Sequence, residues 1–324
     1  MMSISVWKVV SLDMLWLLLV IISALVLAAS AFCYRVTFHS PNIALDDPYG
    51  IPPGEQYEKQ ADKMLKFIEE LERIPYQQVY ITAWDGTKLA ARYYHISDGG
   101  PVQLFFHGYR GNSVREFACG YHLAKELRYN ALVIDQRAHG KSGGHTITFG
   151  IRERYDCRDW CNYAAKQFGE NTRLFLTGVS MGGATVLMAS DLRLPLNVAG
   201  IIADCPYASP GSIIRKICKD IKLPCWVAYP FVTLGALLFG KFPIWESNAV
   251  RSVKNTTIPI LLIHGADDRF VPNYMSRRIY DSCRSDKKMV FFPTAGHGLS
   301  YLTDPQRYTQ IIRDFLHDCG ISAK

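Results

Sequence analysis

Gly178-Val179-Ser180-Met181-Gly182-Gly183 follows the apolar run Arg173-Leu174-Phe175-Leu176-Thr177 and precedes Ala184-Thr185-Val186-Leu187-Met188-Ala189. The apolar run reads as a strand and the segment from Met181 onward as a helix, so Ser180 stands at the tip of a strand–turn–helix. Such a turn strains the backbone and lifts the serine hydroxyl clear of the sheet. A side chain at Gly178 or Gly182 would clash with neighbouring backbone in so tight a turn. The N–H of Met181 falls at a helix N-terminus, where it stabilises negative charge.

A lone serine is a weak nucleophile and needs a base that is itself oriented by a carboxylate. Both partners follow in the chain. The strand-like run 259–263 ends in His264-Gly265-Ala266-Asp267-Asp268-Arg269-Phe270-Val271-Pro272, and a second run, 289–292, ends in Pro293-Thr294-Ala295-Gly296-His297-Gly298. Ser, Asp and His thus each lie just past a predicted strand, at the edge where open parallel sheets build their sites. His297 is the candidate base, because glycines on both sides let its loop bring the imidazole back over the sheet. His107, His139 and His264 sit earlier in their loops and out of this order.

Over 76–321 the chain resembles serine hydrolases of the α/β-hydrolase fold. It is most similar to bacterial α/β-hydrolase-domain proteins with an N-terminal membrane anchor, relatives of serine aminopeptidases and monoacylglycerol lipases. Four motifs carry the resemblance: His107-Gly108-Tyr109-Arg110-Gly111-Asn112, Asp135-Gln136-Arg137-Ala138-His139-Gly140-Lys141-Ser142, the Ser180 turn, and 264–272. The second departs from the usual D-x-R-G-x-G-x-S at Ala138 and His139, which loosens the subfamily and leaves the chemistry intact. In the family pattern H-G-x-x-D-x-x-V-P the acid falls on Asp268, with Val271-Pro272 in register, and Asp267 becomes a turn residue. The resemblance implies catalytic Ser180, Asp268 and His297, with an oxyanion hole formed by the N–H groups of Tyr109 and Met181. Asp135 and Arg137 are expected to brace the neighbouring loop. No cofactor and no metal are implied.

Composition sets bounds on other readings. Apolar residues make up 49% of the 324 and charged residues 20%, so a sizeable core is available to one large domain. The net charge of +7 is spread without a basic, aromatic-interleaved stripe, which argues against nucleic-acid binding. Gly140-Lys141-Ser142 resembles the end of a phosphate loop, but Asp135 stands where that loop needs Gly, so nucleotide binding is not expected. The nine cysteines are irregularly spaced. Cys157 and Cys161 lie one helical turn apart, without a completing pair, and read as buried free thiols.

The N-terminus carries 21 charge-free residues, 14–34. As a helix this run reaches about 30 Å, the thickness of a bilayer core. An uncleaved anchor is the preferred reading. A cleaved signal peptide ending at Ala29-Ser30-Ala31 is the rival, disfavoured by the length of the run and by Asp13 at its leading edge. Lys8 before the span and Arg35 after it tilt the catalytic domain toward the extracytoplasmic side, while the unpaired cysteines tilt it back.

These elements give three segments: 1–36 an anchor, 37–75 a linker and packing helix, and 76–324 the catalytic domain. A hairpin at 78–82 and 89–94 opens it. Strands follow at 102–106, 131–135, 173–177, 198–203, 260–263 and 289–292, separated by helices at 114–127, 153–167, 181–190, 273–283 and 305–319. Alternation of this kind implies an α/β fold with a mainly parallel sheet covered on both faces. A helix is also expected at 57–73. One connection is far too long, and its apolar insertion, about 209–257, is expected to form a helical lid that shapes an acyl pocket. Pro230, with Lys222 and Lys241 nearby, argues against a second full membrane span and leaves open a lid that hugs a membrane.

The leading expectation is a membrane-anchored, single-pass serine hydrolase. It would cleave an ester or thioester of a small-molecule or lipid-like hydrophobic acyl group through an acyl-enzyme. An aminopeptidase-like amide hydrolase is the alternative, and a catalytically silent membrane-bound binding module the rival from another class.

Overall fold

The computed structural model describes residues 3–40 and 47–321. Residues 41–46 of the expected linker lie outside the described residues. Two compact units emerge from the packing: 40–213 with 245–324, and 1–39 with 214–244.

The larger unit is built on one eight-stranded sheet in the order β1-β2-β4-β3-β5-β6-β7-β8. β1 (Gln77–Thr82) and β2 (Lys88–Tyr94) form the expected hairpin. β2 also pairs antiparallel with β4 (Asn130–Asp135). All other neighbours run parallel: β4 with β3 (Val102–Phe106), β3 with β5 (Leu174–Val179), then β6 (Val198–Asp204), β7 (Ile260–Gly265) and β8 (Lys287–Phe292). The strands β3 and β4 are buried throughout, as parallel strands covered on both faces must be. After β4 the chain crosses back to add β5 on the other side of β3. That reversal opens a crevice at the C-terminal ends of β3 and β5.

The first helix, α1, is Ser3–Thr37; α2 (Glu55–Glu58) and α3 (Ala61–Glu72) precede the sheet. The helix expected at 57–73 is therefore split, with a break at residues 59–60. Ile68 and Leu71 of α3 join Tyr94, Phe105, Phe117 and Val133 in one core cluster, so the packing helix belongs to the sheet's own core. Crossovers supply α4 (Ser113–Leu127), α5 (Glu153–Phe168) and α6 (Met181–Ala189). Next come α7 (Pro210–Asp220), α8 (Cys225–Leu238), α9 (Ala249–Ser252), α10 (Tyr274–Ser282), α11 (Ser300–Thr303) and α12 (Pro305–Asp318). Ile312, Phe315 and Leu316 of α12 close a second cluster with Phe175, Ile202, Leu261 and Phe292. Cys157 and Cys161 are buried on one face of α5, and all nine cysteines are free.

In the smaller unit α8 packs along α1. The middle of the insertion thus associates with the N-terminal helix, a grouping that apolar content and connection length did not disclose. α1 contains a stretch, Asp13–Thr37, long and apolar enough to cross a membrane by length and composition.

Candidate active site

Ser180 sits between β5 and α6 with φ 54° and ψ −112°, a conformation L-residues rarely occupy. The surroundings enforce it. A Cβ on Gly178 would run into the backbone of Gly182, and one on Gly182 would meet the carbonyl of Phe106 at the end of β3. The Ser180 N–H donates to the Asp204 carbonyl at 2.8 Å, tying the turn to β6, and the Ser180 carbonyl accepts from Ala184 N–H at 2.9 Å. Met181, as the first residue of α6, has a backbone N–H for which the helix offers no acceptor.

Adjacent carboxylates part company just past β7. Asp267 is exposed, whereas Asp268 is buried. Asp268 Oδ2 accepts from His297 Nδ1 at 2.6 Å, and Oδ1 accepts from the N–H groups of Phe270 and Val271 at 2.9 and 2.8 Å. His264, fully buried in β7, lies with Nε2 3.3 Å from the same Oδ2. Burial raises the Asp268 pKa, but hydrogen bonds from His264 and His297 outweigh it and hold the carboxyl below the usual range. His264 Nε2 donates to the Val271 carbonyl at 2.8 Å, so Nδ1 accepts from Ser276 Oγ at 2.7 Å.

His297 follows β8 on the loop whose glycines marked it. Gly298 has φ 67°, the left-handed region that favours glycine. Tyr57 of α2 donates its hydroxyl to the His297 carbonyl at 3.0 Å, and the Phe270 ring lies 5.0 Å from the imidazole.

The loop after β3 is clamped by the remaining histidines. Gln136 N–H donates to His107 Nε2 at 3.0 Å, and Arg110 N–H to His139 Nε2 at 3.1 Å. Burial pushes His107 down to about 4 and His139 to about 3, the latter helped by His107 itself, so both rings are neutral acceptors. Asn112 caps α4 by accepting from Val114 and Arg115 N–H. The bracing expected of Asp135 is present: it accepts from Ser113 Oγ at 2.5 Å and Lys141 N–H at 3.0 Å. Arg137 forks onto Asp156 with two bonds of 2.6 Å and reaches Asp85 at 2.9 Å.

Glu116 is the residue sequence reasoning passed over. Its half-buried carboxylate lies under the same loop and accepts from Gly108 N–H at 2.6 Å, and desolvation pushes its pKa up. The available signal was an acid in the first turn of α4, just after the His107–Asn112 motif.

Ser180, His297 and Tyr109 all line one cleft of about 690 Å³. Its apolar lining comes from Ile51, Pro52, Pro53, Met64 and Phe67, together with Leu299 and Leu302. Residues 51–67 of the larger unit, expected only as linker and packing helix, supply much of this lining. The segment before β1 reaches the cleft through tertiary packing of α2 and α3, which no local pattern encodes.

Among the described residues, Cys205, Asp268 and His297 each bring one possible metal-ligand atom within 4.8 Å of the others. Burial, with Asp204 and Asp268 alongside, pushes the Cys205 thiol well up, so it keeps its proton and is a poor ligand. Asp268 and His297 are engaged with each other.

A sequence model described as the Alpha/beta hydrolase family matches residues 103–311. The uncharacterized protein YqkD of Bacillus subtilis is 25% identical over 234 residues, covering 71% of this chain and 76% of its own length. An uncharacterized membrane protein of Saccharomyces cerevisiae is 26% identical over 255 residues, covering 76% and 81%. Among solved structures, an esterase of Pyrococcus furiosus superposes with a TM-score of 0.63 at 24% identity, over 77% of this chain and 93% of its own. Est1E of Butyrivibrio proteoclasticus, solved with ferulic acid bound, gives 0.56 at 22% identity over 74% and 98%. At these identities the structural likeness speaks for the fold.

Proposed function

Because this chain belongs to the alpha/beta hydrolase family, we propose that it is a serine hydrolase cleaving an ester or thioester of a hydrophobic acyl group. The observation that carries the reading is the strained Ser180 sharing one apolar cleft with a His297 whose Nδ1 is held by buried Asp268. With Nδ1–H donating to Asp268, His297 Nε2 is left as the base. Ser180 Oγ attacks the carbonyl carbon while its proton passes to Nε2. The N–H groups of Tyr109 and Met181 take the oxyanion. The proton then goes to the departing alcohol or thiol, leaving an acyl-Ser180 ester. Water attacks this ester, giving its proton to His297, and the acid leaves as Ser180 recovers its hydrogen.

The wall of Ile51, Pro53, Met64 and Phe67 supports an apolar acyl group, since each buried CH₂ contributes about 0.8 kcal/mol. α1 would hold the enzyme at a membrane as a single span. The test is fluorophosphonate labelling of the purified full-length protein, followed by p-nitrophenyl esters of graded chain length beside aminoacyl-anilides. Labelling with ester turnover supports the reading. Anilide preference transfers it to an amide hydrolase, and absence of labelling leaves a binding module.

A further inference from the structure

The smaller unit pairs two helices through small residues. On α1 the shielded residues are 26, 29, 30, 31, 33, 34 and 37, and all but Ala31 recur at the three- and four-residue spacing of one helical face. On α8 the shielded positions are Ala228, Val232, Gly235 and Ala236. At the crossing a Cβ on Gly235 would strike the Ser30 carbonyl and stand 3.2 Å from Tyr34 Cβ. Backbones this close need glycine. Close small-residue contact is how helices associate in lipid, where apolar burial supplies no drive between them.

The remaining surface of α8 is apolar. Trp226 is 83% exposed, and Val227, Leu237, Leu238 and Phe239 are exposed with it. A water-soluble unit seldom leaves such a row uncovered beside a second bare apolar helix. The stretch 223–240 holds 18 residues without a charge, between Lys222 and Lys241. Arg215 and Lys219, on the preceding turns of α7, are exposed as well. At 14 residues α8 is about 21 Å long, too short to cross about 30 Å of hydrocarbon. Along α1 the contact reaches Tyr34, whose ring lies 5.9 Å from that of Phe239 at the end of α8, next to Arg35, the charge that ends the apolar run.

We infer that α8 is seated in the lipid bilayer beside α1, entering one leaflet at the Arg35 end, with Lys222 and Lys241 at the headgroup level. The occupant of its bare face is phospholipid acyl chain, and the basic fringe favours anionic headgroups. This rests on the reading of α1 as a membrane span. The insertion then acts as a second foothold in the lipid beside the N-terminal helix.

Trp16 and Trp226 report the two helices separately. Full-length protein, Trp16→Phe and Trp226→Phe are each placed in phosphatidylcholine–phosphatidylglycerol vesicles in which the phosphatidylcholine is brominated, a contact quencher of tryptophan. Each substitution is expected to remove a comparable share of the quenchable emission. An unchanged quenchable share in Trp226→Phe, with loss in Trp16→Phe, overturns the seating of α8 and leaves the anchor standing. No loss in either variant overturns both. In the Trp16→Phe background, Gly235→Leu should prise the helices apart and lower the quenching of Trp226. Full retention there overturns the pairing as the cause of insertion.

Discussion

Asp268 and His297 meet at 2.6 Å through Oδ2 and Nδ1, while Asp267, one residue away, faces solvent. The pair is sealed from behind by His264, 3.3 Å from the same oxygen. Asp268→Asn should therefore lower turnover by orders of magnitude, because an amide cannot hold the required histidine tautomer. Asp267→Asn should leave turnover within a few-fold of wild type. Steady-state kinetics on both variants decide it, and equal losses or the reverse ranking would mean the acid is misassigned.

Ser180→Ala should abolish fluorophosphonate labelling and cut ester turnover by several orders of magnitude with the fold intact by circular dichroism. Residual activity above about a tenth of wild type is incompatible with Ser180 as the proposed nucleophile.

Glu116 supports the loop that carries Tyr109 by accepting from Gly108 N–H at 2.6 Å. Glu116→Ala leaves that donor buried and unpaired, at a cost of about 1–3 kcal/mol, and should lower both melting temperature and kcat. Glu116→Gln keeps an acceptor oxygen and should recover most of both. If Gln behaves as badly as Ala, the carboxylate's charge, and not its hydrogen bond, is what matters.

Acyl-chain preference should follow the wall at 51–67. Met64→Trp narrows the cleft and should shift the optimum to shorter p-nitrophenyl esters, with KM rising most for the longest. An unchanged chain-length profile would place the acyl group elsewhere.

Burial pushes Asp204, whose carbonyl holds the Ser180 N–H, from its ordinary value up to about 6, against the pull of His264 and His297. A folded-state pKa above the unfolded one means the fold favours the neutral acid. Its contribution is complete below the unfolded value near 4 and is lost as pH rises through about 6. Asp204→Asn, neutral throughout, should therefore gain melting temperature relative to wild type by a few degrees between pH 4 and 7. Asp268, shifted the other way, contributes above pH 4 and is lost on acidification. A wild-type-to-Asn difference that does not change with pH would show that Asp204 is already ionised at pH 4.

What could be read from the chain alone was what short stretches dictate. Gly178 and Gly182 are required by a clash within six residues of each other and with β3, so the Ser180 turn announces itself. Strands such as 198–203 and 260–263 are legible because parallel strands buried on both faces read as near-continuous apolar runs. The Ser, Asp, His order is a property of the chain. Tertiary structure decided what depends on partners far along it. The β2–β4 pairing joins segments nearly forty residues apart, and no local period encodes it. That Asp268 and not Asp267 turns inward was suggested by a motif, but the enclosure comes from His264 and from the loop before α10. The cleft wall of 51–67 and the Glu116–Gly108 bond arise from packing α2, α3 and α4 over the sheet. Gly235 shows its purpose only when Ser30, some two hundred residues earlier, lies against it. An apolar residue declares that it will be buried, and only the folded chain says against what.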